Sequence, residues 1–281
     1  MDIISTVAEL RQWSRAQRCA GAPVALVPTM GALHAGHASL IRAAAEACPD
    51  AVAVSIFVNP TQFGPNEDFA RYPRTFAADC SLSKAQGATV IFAPSIEEIY
   101  PNGAATFVNV EGPSERLDGK SRPGHFRGVA TVVTKLLIAA EPDLAFFGQK
   151  DAAQVAVLRR LVEDLRLAAK IVVCPIVREP DGLALSSRNT YLSAAERKQA
   201  LVLSRAIRRV EELVAKGERV SRVLIEAAHA VFAREPEIRV DYVELVNWET
   251  LLPVSIGSPG SLFSVAAVVG STRLIDNTIL A

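Results

Sequence analysis

Two histidines in a glycine-containing turn are the residues of this sequence best suited to chemistry. His34 and His37 lie on either side of Gly36, after an apolar run at residues 25–27 and before apolar residues at helical spacing from Leu40 onward. This pattern predicts a strand, a turn and a helix in succession. Both imidazoles are therefore expected where the strand ends and the helix begins. In an open parallel sheet, that edge is where ligands bind.

A phosphate group is the ligand that this position favours. The first N–H groups of a helix lack intrahelical partners and carry about half a positive charge, to which two imidazoles add donors. An isolated His-x-x-His also fits a chance pair or half of a metal site. Here the lead-in at residues 28–31 and the glycine inside the pair favour phosphate binding. The turn resembles the His-x-Gly-His signature of the nucleotidyltransferase superfamily, which implies chemistry at the α-phosphate of ATP without naming the second substrate.

Composition limits the class of protein. The 281 residues carry 30 basic and 30 acidic side chains and are 50% hydrophobic, so we expect a large core and do not expect nucleic acid as the main partner. The cysteines show no Cys-x-x-Cys spacing, which fits a reducing, cytoplasmic setting better than a zinc site or a disulfide framework. The acidic start and the absence of a long apolar run predict a soluble protein with no signal peptide and no membrane span. Small-molecule substrates are expected.

Strand and helix patterns alternate up to Val177 and then change. The expected strands are residues 24–28, 51–58, 89–94, 106–110, 143–147 and 170–177, and the expected helices are 1–20, 40–47, 75–86, 129–140 and 152–168, with a long loop at 112–124. This alternation predicts an α/β fold with a doubly wound parallel sheet of Rossmann type. Beyond it, helices at 193–216 and 219–234 and strands at 239–246, 262–269 and 272–280 predict a smaller α+β domain. The predicted domains are therefore 1–177 and 178–281.

Lys150 is a second candidate for phosphate binding. It lies in Phe147-Gly-Gln-Lys-Asp151, which follows a predicted strand and precedes a predicted helix, so it is expected at the same sheet edge as the histidines. A solvated surface charge is the alternative interpretation. The sequence contains neither a Walker-type phosphate loop nor a Gly-x-Gly-x-x-Gly motif that could take this role instead.

A cluster of polar side chains lies at the predicted domain junction. Two hydroxyls, a guanidinium and an amide occur in a row at residues 186–189. Arginine makes bidentate charge-assisted hydrogen bonds and serine adds short donors, so the cluster suits triphosphate oxygens. The alternative is a helix cap ahead of Tyr191. A junction is also a natural position for the hinge of a lid, and we expect the second domain to act as one.

Six blocks in order resemble the pantothenate synthetase family over essentially the whole chain. They are residues 28–37, 59–75, 122–129, 147–151, 181–189 and 273–277. The resemblance implies an ATP-dependent ligase that condenses pantoate with β-alanine through a pantoyl adenylate, releasing pyrophosphate and AMP. It also implies a cytoplasmic homodimer that uses Mg²⁺. An adenylyltransferase that leaves AMP on its product, and a nucleotide-binding regulatory module without turnover, are the alternatives.

Matched position by position, the resemblance also implies roles for individual residues. Those expected at the ATP phosphates are His34, His37, Lys150, Ser186, Ser187 and Arg188. Those expected elsewhere on ATP are Pro28, Thr29, Met30, Gly148, Asp151, Val177 and Leu185. Met30, Gln62 and Gln154 are expected to hold pantoate, and Asp79 is expected near the metal. The family often has an aromatic residue and a glutamine where this chain has Ala152 and Ala153.

Overall fold

Six parallel strands form the sheet that carries the histidine turn. They are β1 (Asp2–Ile4), β2 (Ala25–Thr29), β3 (Val52–Ile56), β4 (Val90–Phe92), β5 (Leu144–Gly148) and β6 (Lys170–Cys174). Their order across the sheet is β1-β4-β3-β2-β5-β6, so the direction of winding reverses between β2 and β5. Such a reversal opens a crevice at the carboxyl ends of the two strands. The predicted doubly wound sheet is confirmed, and β2 pairs with β3 in parallel.

The helices that follow these strands are α1 (Val7–Cys19), α2 (Ala35–Ala47), α3 (Phe76–Ala85), α4 (Ile96–Ile99), α5 (Asp118–Ser121), α6 (His125–Ala140) and α7 (Ala152–Asp164). Helix α2 packs against β2, β3 and β5, whereas α6 packs against β2 and α1. Val27, Val54 and Ile41 are fully buried in the resulting core. Strands this apolar are expected when helices cover both faces of a parallel sheet.

The computed structural model describes residues 1–65 and 67–281, and these residues divide into two units. The first unit comprises Met1–Gly148 and Val157–Pro175, and the second comprises Gln149–Ala156 and Ile176–Ala281. The predicted division at residue 177 places Gln149–Ala156 in the first domain, whereas the structure groups that segment with the second unit. The lid role of residues 178–281 stays a prediction.

The second unit is a three-stranded antiparallel sheet with two helices. Its elements are α8 (Ala194–Ala215), α9 (Ser221–Phe232), β7 (Arg239–Asn247), β8 (Ser261–Val269) and β9 (Thr272–Ile279), in the sheet order β7-β8-β9. Both helices pack on this sheet and on each other around buried residues such as Leu203, Leu224 and Phe263. A capping box begins α8, since the Ser193 hydroxyl accepts from the backbone N–H of Glu196 and the Glu196 carboxylate accepts from the backbone N–H of Ser193. Across the described residues, the helices are too short or too polar to cross a membrane.

Three local predictions were wrong. Residues 1–20 are not one helix, because Asp2–Ile4 pairs with β4 and a capping box at Thr6 starts α1 only at Val7. Residues 106–110 join no strand pairing in the described part of the chain; the N–H of Val108 instead donates to the Thr131 hydroxyl at 2.9 Å. The expected loop at 112–124 contains a 3-10 helix and α5. In the first two cases tertiary contacts overrode the local pattern.

A substitution at Gly128 tests whether α6 must lie close to the 3-10 helix Pro60–Gln62. A Cβ on Gly128 would lie 2.3 Å from the Thr61 carbonyl oxygen, which is backbone and cannot rotate away. We expect Gly128→Ala to lower the free energy of unfolding of the first unit by about 2 kcal/mol, measured by urea denaturation. Gly64→Ala is the matched control, because its Cβ would meet only the Glu67 side chain, at 3.6 Å. Equal denaturation midpoints for the two variants would contradict the close approach.

Candidate functional site

The two histidines cap the helix on which they lie. His34 is the N-cap of α2, and its Nδ1 accepts a hydrogen bond from the N–H of Gly36 at 3.1 Å. His37, in the first turn, accepts at Nδ1 from the N–H of His34 at 3.3 Å. The rings lie 4.1 Å apart between centroids. A neutral imidazole that accepts at Nδ1 carries its proton on Nε2, so these contacts assign both rings the Nε2–H tautomer.

The turn ahead of the histidines is held by side chains of neighbouring elements. The Thr29 hydroxyl accepts from the N–H of Gly31 at 3.2 Å and donates to the carbonyl of Ser55 on β3 at 2.6 Å. Asp79 on α3 accepts from the N–H of Ala32 at 3.0 Å and of Leu33 at 2.8 Å. The turn is therefore anchored to the sheet on one side and to α3 on the other.

Gln62 and Met30, both expected to hold pantoate, lie together. Gln62 ends the 3-10 helix after β3, is 9% exposed, and its Nε2 lies 2.9 Å from the sulfur of Met30. The Asn59 amide donates to Gln62 Oε1 and to the Gly128 carbonyl, both at 3.1 Å, and the Tyr100 hydroxyl donates to Asn59 at 2.8 Å. Asn59 thereby fixes which end of the Gln62 amide accepts and which donates.

His125 and Arg122 hold the backbone of Gln62. An Arg122 N–H donates to His125 Nε2 at 2.9 Å, so the Nδ1–H of His125 donates to the Gln62 carbonyl at 2.9 Å. Arg122 also makes a bidentate pair with Glu67, at 2.7 and 2.6 Å. Burial, with the Arg122 charge acting in the same direction, lowers the pKa of His125 to about 4. The ring is therefore neutral at pH 7.

In the second unit, Asn277 fixes the backbone around Lys150. Lys150 lies in the 3-10 helix Gln149–Asp151, and its ammonium is 3.5 Å from the Asp151 carboxylate. Asn277 on β9 is 2% exposed, and its amide donates to the carbonyls of Gln149 at 3.1 Å and Lys150 at 2.9 Å. Gln154 follows in the first turn of α7 and is partly buried. Ala152 and Ala153 are buried, and the Trp248 indole donates to the Ala152 carbonyl at 3.0 Å.

The segment at 177–189 is a tight turn that leads into a 3-10 helix. The N–H of Leu185 donates to the Val177 carbonyl at 3.0 Å, and Arg178 makes a bidentate pair with buried Asp276, at 2.7 and 2.9 Å. The Ser186 hydroxyl accepts from the N–H of Arg188 at 3.3 Å and caps the helix Ser187–Tyr191. The cap interpretation is thus realised at Ser186, while contacts of Ser186, Ser187 and Arg188 with phosphate stay predictions.

The expected site residues therefore form two groups. Pro28, Thr29, Met30, His34, His37, Gln62, Asp79 and Gly148 belong to the first unit, and Lys150, Asp151, Gln154, Val177, Leu185, Ser186, Ser187 and Arg188 belong to the second. Sequence reasoning assigned no role to Asn59, His125 or Asn277, although each lies in one of the six blocks. Of these three residues, Asn59 is the one that the sequence could have indicated as a site residue, because its polar amide lies only three residues beyond a buried strand.

Comparison with known proteins places the whole chain in one group. The sequence model described as Pantoate-beta-alanine ligase matches residues 2–279. A pantothenate synthetase from Acidobacterium capsulatum is 62% identical over 257 residues, which cover 92% of this chain and 86% of that protein. A Thermus thermophilus pantothenate synthetase structure superposes with a TM-score of 0.93 at 46% identity, covering 100% of this chain and 99% of that one. A pantoate-beta-alanine ligase from Francisella tularensis, crystallised with "Beta-gamma ATP" and β-alanine, gives a TM-score of 0.80 at 33% identity, with coverage of 99% and 97%.

The lowered pKa of His125 predicts acid sensitivity of the first unit. Below its ordinary pKa of 6.5 this histidine is protonated in the unfolded chain, whereas in the folded chain it stays neutral until about pH 4. The unfolding free energy therefore decreases as the pH falls through that window, by up to about 1.4 kcal/mol per pH unit. We expect His125→Gln to flatten this dependence, measured by urea denaturation from pH 7 to 4.5. The exposed His229→Gln is the control, and an equally steep dependence in both variants would contradict the assignment.

Proposed function

The chain belongs to the pantoate-β-alanine ligase family, and from that premise we propose which of its residues carry out the ATP-dependent condensation of pantoate with β-alanine. The reaction proceeds through a pantoyl adenylate, with release of pyrophosphate and AMP, and contributes to pantothenate biosynthesis. One observation carries the assignment of residues: the pair of histidines that caps α2 at the carboxyl end of β2, beside the reversal of the sheet.

The first half-reaction joins two anions, a carboxylate and a triphosphate. The protein must therefore supply positive charge and donors and hold the reactants in line. We assign His34 and His37 to the α-phosphate, because their Nδ1 atoms accept backbone N–H groups and their Nε2–H groups can donate to phosphate oxygen. The carboxylate of pantoate is itself the nucleophile, so no serine or cysteine nucleophile is needed.

Lys150, Ser186, Ser187 and Arg188 are proposed to bind the phosphates as well. The amide of Asn277 holds the Lys150 backbone, and the Arg178–Asp276 pair holds the turn that leads to Arg188, so both cations lie on constrained backbone. Constrained donors lose little entropy when they meet a ligand. The residues proposed around the rest of ATP are Pro28, Thr29, Met30, Gly148, Asp151, Val177 and Leu185.

Gln62, Gln154 and Met30 are proposed to hold pantoate. Because Asn59 donates to Gln62 Oε1, the Gln62 NH₂ is oriented as a donor, and the sulfur it contacts is a weak acceptor. A hydroxyl or carboxylate oxygen of pantoate would be a stronger acceptor. The proposal therefore predicts that Gln62 donates to the hydroxy acid.

The expected Mg²⁺ does not fit a site formed by the protein alone. Residues 1–65 and 67–281 contain no group of three or more His, Cys, Asp or Glu side chains arranged to hold a metal ion. Asp79 accepts three hydrogen bonds from the protein itself. We propose that Mg²⁺ enters as the counter-ion of the ATP phosphates. Family membership also supports a cytoplasmic location and a homodimer, which we propose as the working state.

The decisive experiment is product analysis of ATP incubated with pantoate, with and without β-alanine. We expect pyrophosphate and enzyme-bound pantoyl adenylate without the amine, and pantothenate with free AMP when the amine is present. An adenylylated product that persists in the presence of β-alanine would instead identify an adenylyltransferase. ATP binding with no product in either mixture would identify a nucleotide-binding module.

Removing either histidine should slow the first half-reaction. Loss of one preorganised donor to developing charge lowers the rate by about 10²-fold, and we expect this for His34→Ala and for His37→Ala in single-turnover formation of pantoyl adenylate. The exposed His229→Ala is the matched control and should leave the rate unchanged. A folded His34 or His37 variant with near-normal adenylation would show that the phosphate role is wrong.

Lys150→Ala should slow the first half-reaction much more than the second. A lysine ammonium is a compact charge that can follow the α-phosphate as negative charge builds on it, and most of this task is complete once the adenylate exists. We therefore expect pyrophosphate release from ATP plus pantoate to be nearly abolished, while attack of β-alanine on supplied pantoyl adenylate slows much less. Each half-reaction is measured separately, with the fold checked by circular dichroism. An equal fall in both would mean that Lys150 also stabilises amide formation.

A further inference from the structure

The turn between β2 and α2 has an unusual backbone. Gly31 and Ala32 are consecutive residues with positive φ, 81° and 51°. Glycine adopts this region freely, but an alanine there costs about 1–2 kcal/mol, so surrounding contacts must stabilise the conformation. The N–H groups of Ala32 and Leu33 point towards one acceptor group.

That acceptor is the carboxylate of Asp79. Its Oδ2 accepts from Ala32 at 3.0 Å, and its Oδ1 accepts from Leu33 at 2.8 Å and from the Thr75 hydroxyl at 3.0 Å. Asp79 is 2% exposed, and a Cβ on Gly31 would lie 3.0 Å from its Oδ2. Oδ1 accepts two hydrogen bonds, which use both of its lone pairs, and Oδ2 accepts one, so the carboxylate has at most one lone pair left for a metal ion.

We propose that Asp79 is a positioning residue for adenylate formation, holding the turn so that His34 and His37 meet the phosphates, and that it is not a metal ligand. The inference rests on the proposed function, because it needs the histidines to act on ATP. The proposed role of Asp79 depends on the negative charge of its carboxylate. A buried carboxylate accepts N–H groups on both oxygens, whereas an amide offers one acceptor and would set its NH₂ against the other N–H.

The test is Asp79→Asn, which keeps the shape of the side chain and removes its charge. We expect single-turnover adenylation to fall at least 10-fold, while the Mg²⁺ concentration for half-maximal rate stays within twofold of the parent. Asp50→Asn, an exposed carboxylate in the same unit, is the matched control and should change neither quantity. A shift of tenfold or more in the Mg²⁺ requirement would overturn the inference in favour of a metal ligand.

A double-mutant cycle separates positioning from general destabilisation. If Asp79 acts through the histidine turn, Asp79→Asn should cost much less in the His34→Ala background than in the parent, whereas independent losses would multiply. Multiplicative losses overturn the inference. Adenylation that is insensitive to His34→Ala contradicts the proposed function itself. Adenylation that is sensitive to His34→Ala but not to Asp79→Asn contradicts only this inference.

A second variant covers the case in which Asp79→Asn does not fold. Thr75→Ala removes one donor to the carboxylate and leaves its charge, and Thr75 is exposed, so the fold should persist. We expect a fall in adenylation of about threefold, again much smaller when combined with His34→Ala. An unchanged rate for folded Thr75→Ala would overturn the inference.

Discussion

The first unit depends on satisfying the backbone N–H groups of one short turn. Between β2 and α2 these groups are directed away from the sheet ladder, and a buried N–H without an acceptor costs about as much as a lost hydrogen bond. The chain meets this need with side chains: Thr29 for Gly31, Asp79 for Ala32 and Leu33, His37 for His34, and His34 for Gly36. Because the same imidazoles cap the helix at Nδ1, their Nε2 atoms are the ones that can serve a ligand. Under the proposed phosphate role, helix capping and chemistry use opposite nitrogens of the same rings.

Buried amides play a similar role in both units. Asn59 bridges Gln62 and the Gly128 carbonyl, and Asn277 bridges the carbonyls of Gln149 and Lys150. A side-chain amide carries donors and an acceptor in a fixed plane, so it can bind two backbone or side-chain groups at once. In each case the residue it holds is one that we assign to a substrate.

Much of the fold could be predicted from the sequence, because long apolar runs and helical spacing reflect burial directly. The strands β2 to β6 and the capping box at Ser193 follow from such local signals. The strand Asp2–Ile4 could not be predicted, since three residues are too few to show a period and the strand exists only through pairing with β4. Residues 106–110 have strand composition, but the N–H of Val108 bonds to a helix side chain.

The candidate site was predictable in its motifs but not in its supporting contacts. The histidine turn and the block around Lys150 are visible in the order of residue types. The partners that orient them, Asp79 across 46 and 47 residues and Asn277 across 127 and 128, are set by tertiary structure alone. Grouping of Gln149–Ala156 with the second unit likewise depends on such distant contacts, which leave no local pattern.

The pairing of β1 with β4 has a consequence for how the chain folds. Asp2 aligns with Val90 and Ile4 with Phe92, and β2 meets β5 through Ala25 and Leu144, so neighbours in the sheet are separated by about a hundred residues of chain. The chain loses conformational entropy when it closes loops of this length, and this loss comes before the strand contacts can stabilise the sheet. Folding is therefore slower. During synthesis the first residues have no strand to join until residue 92 has emerged, and β2 keeps one unpaired edge until β5 follows. The central strand β2, which leads to the histidines, is therefore synthesised early, but its second edge is paired only after β5 has been synthesised.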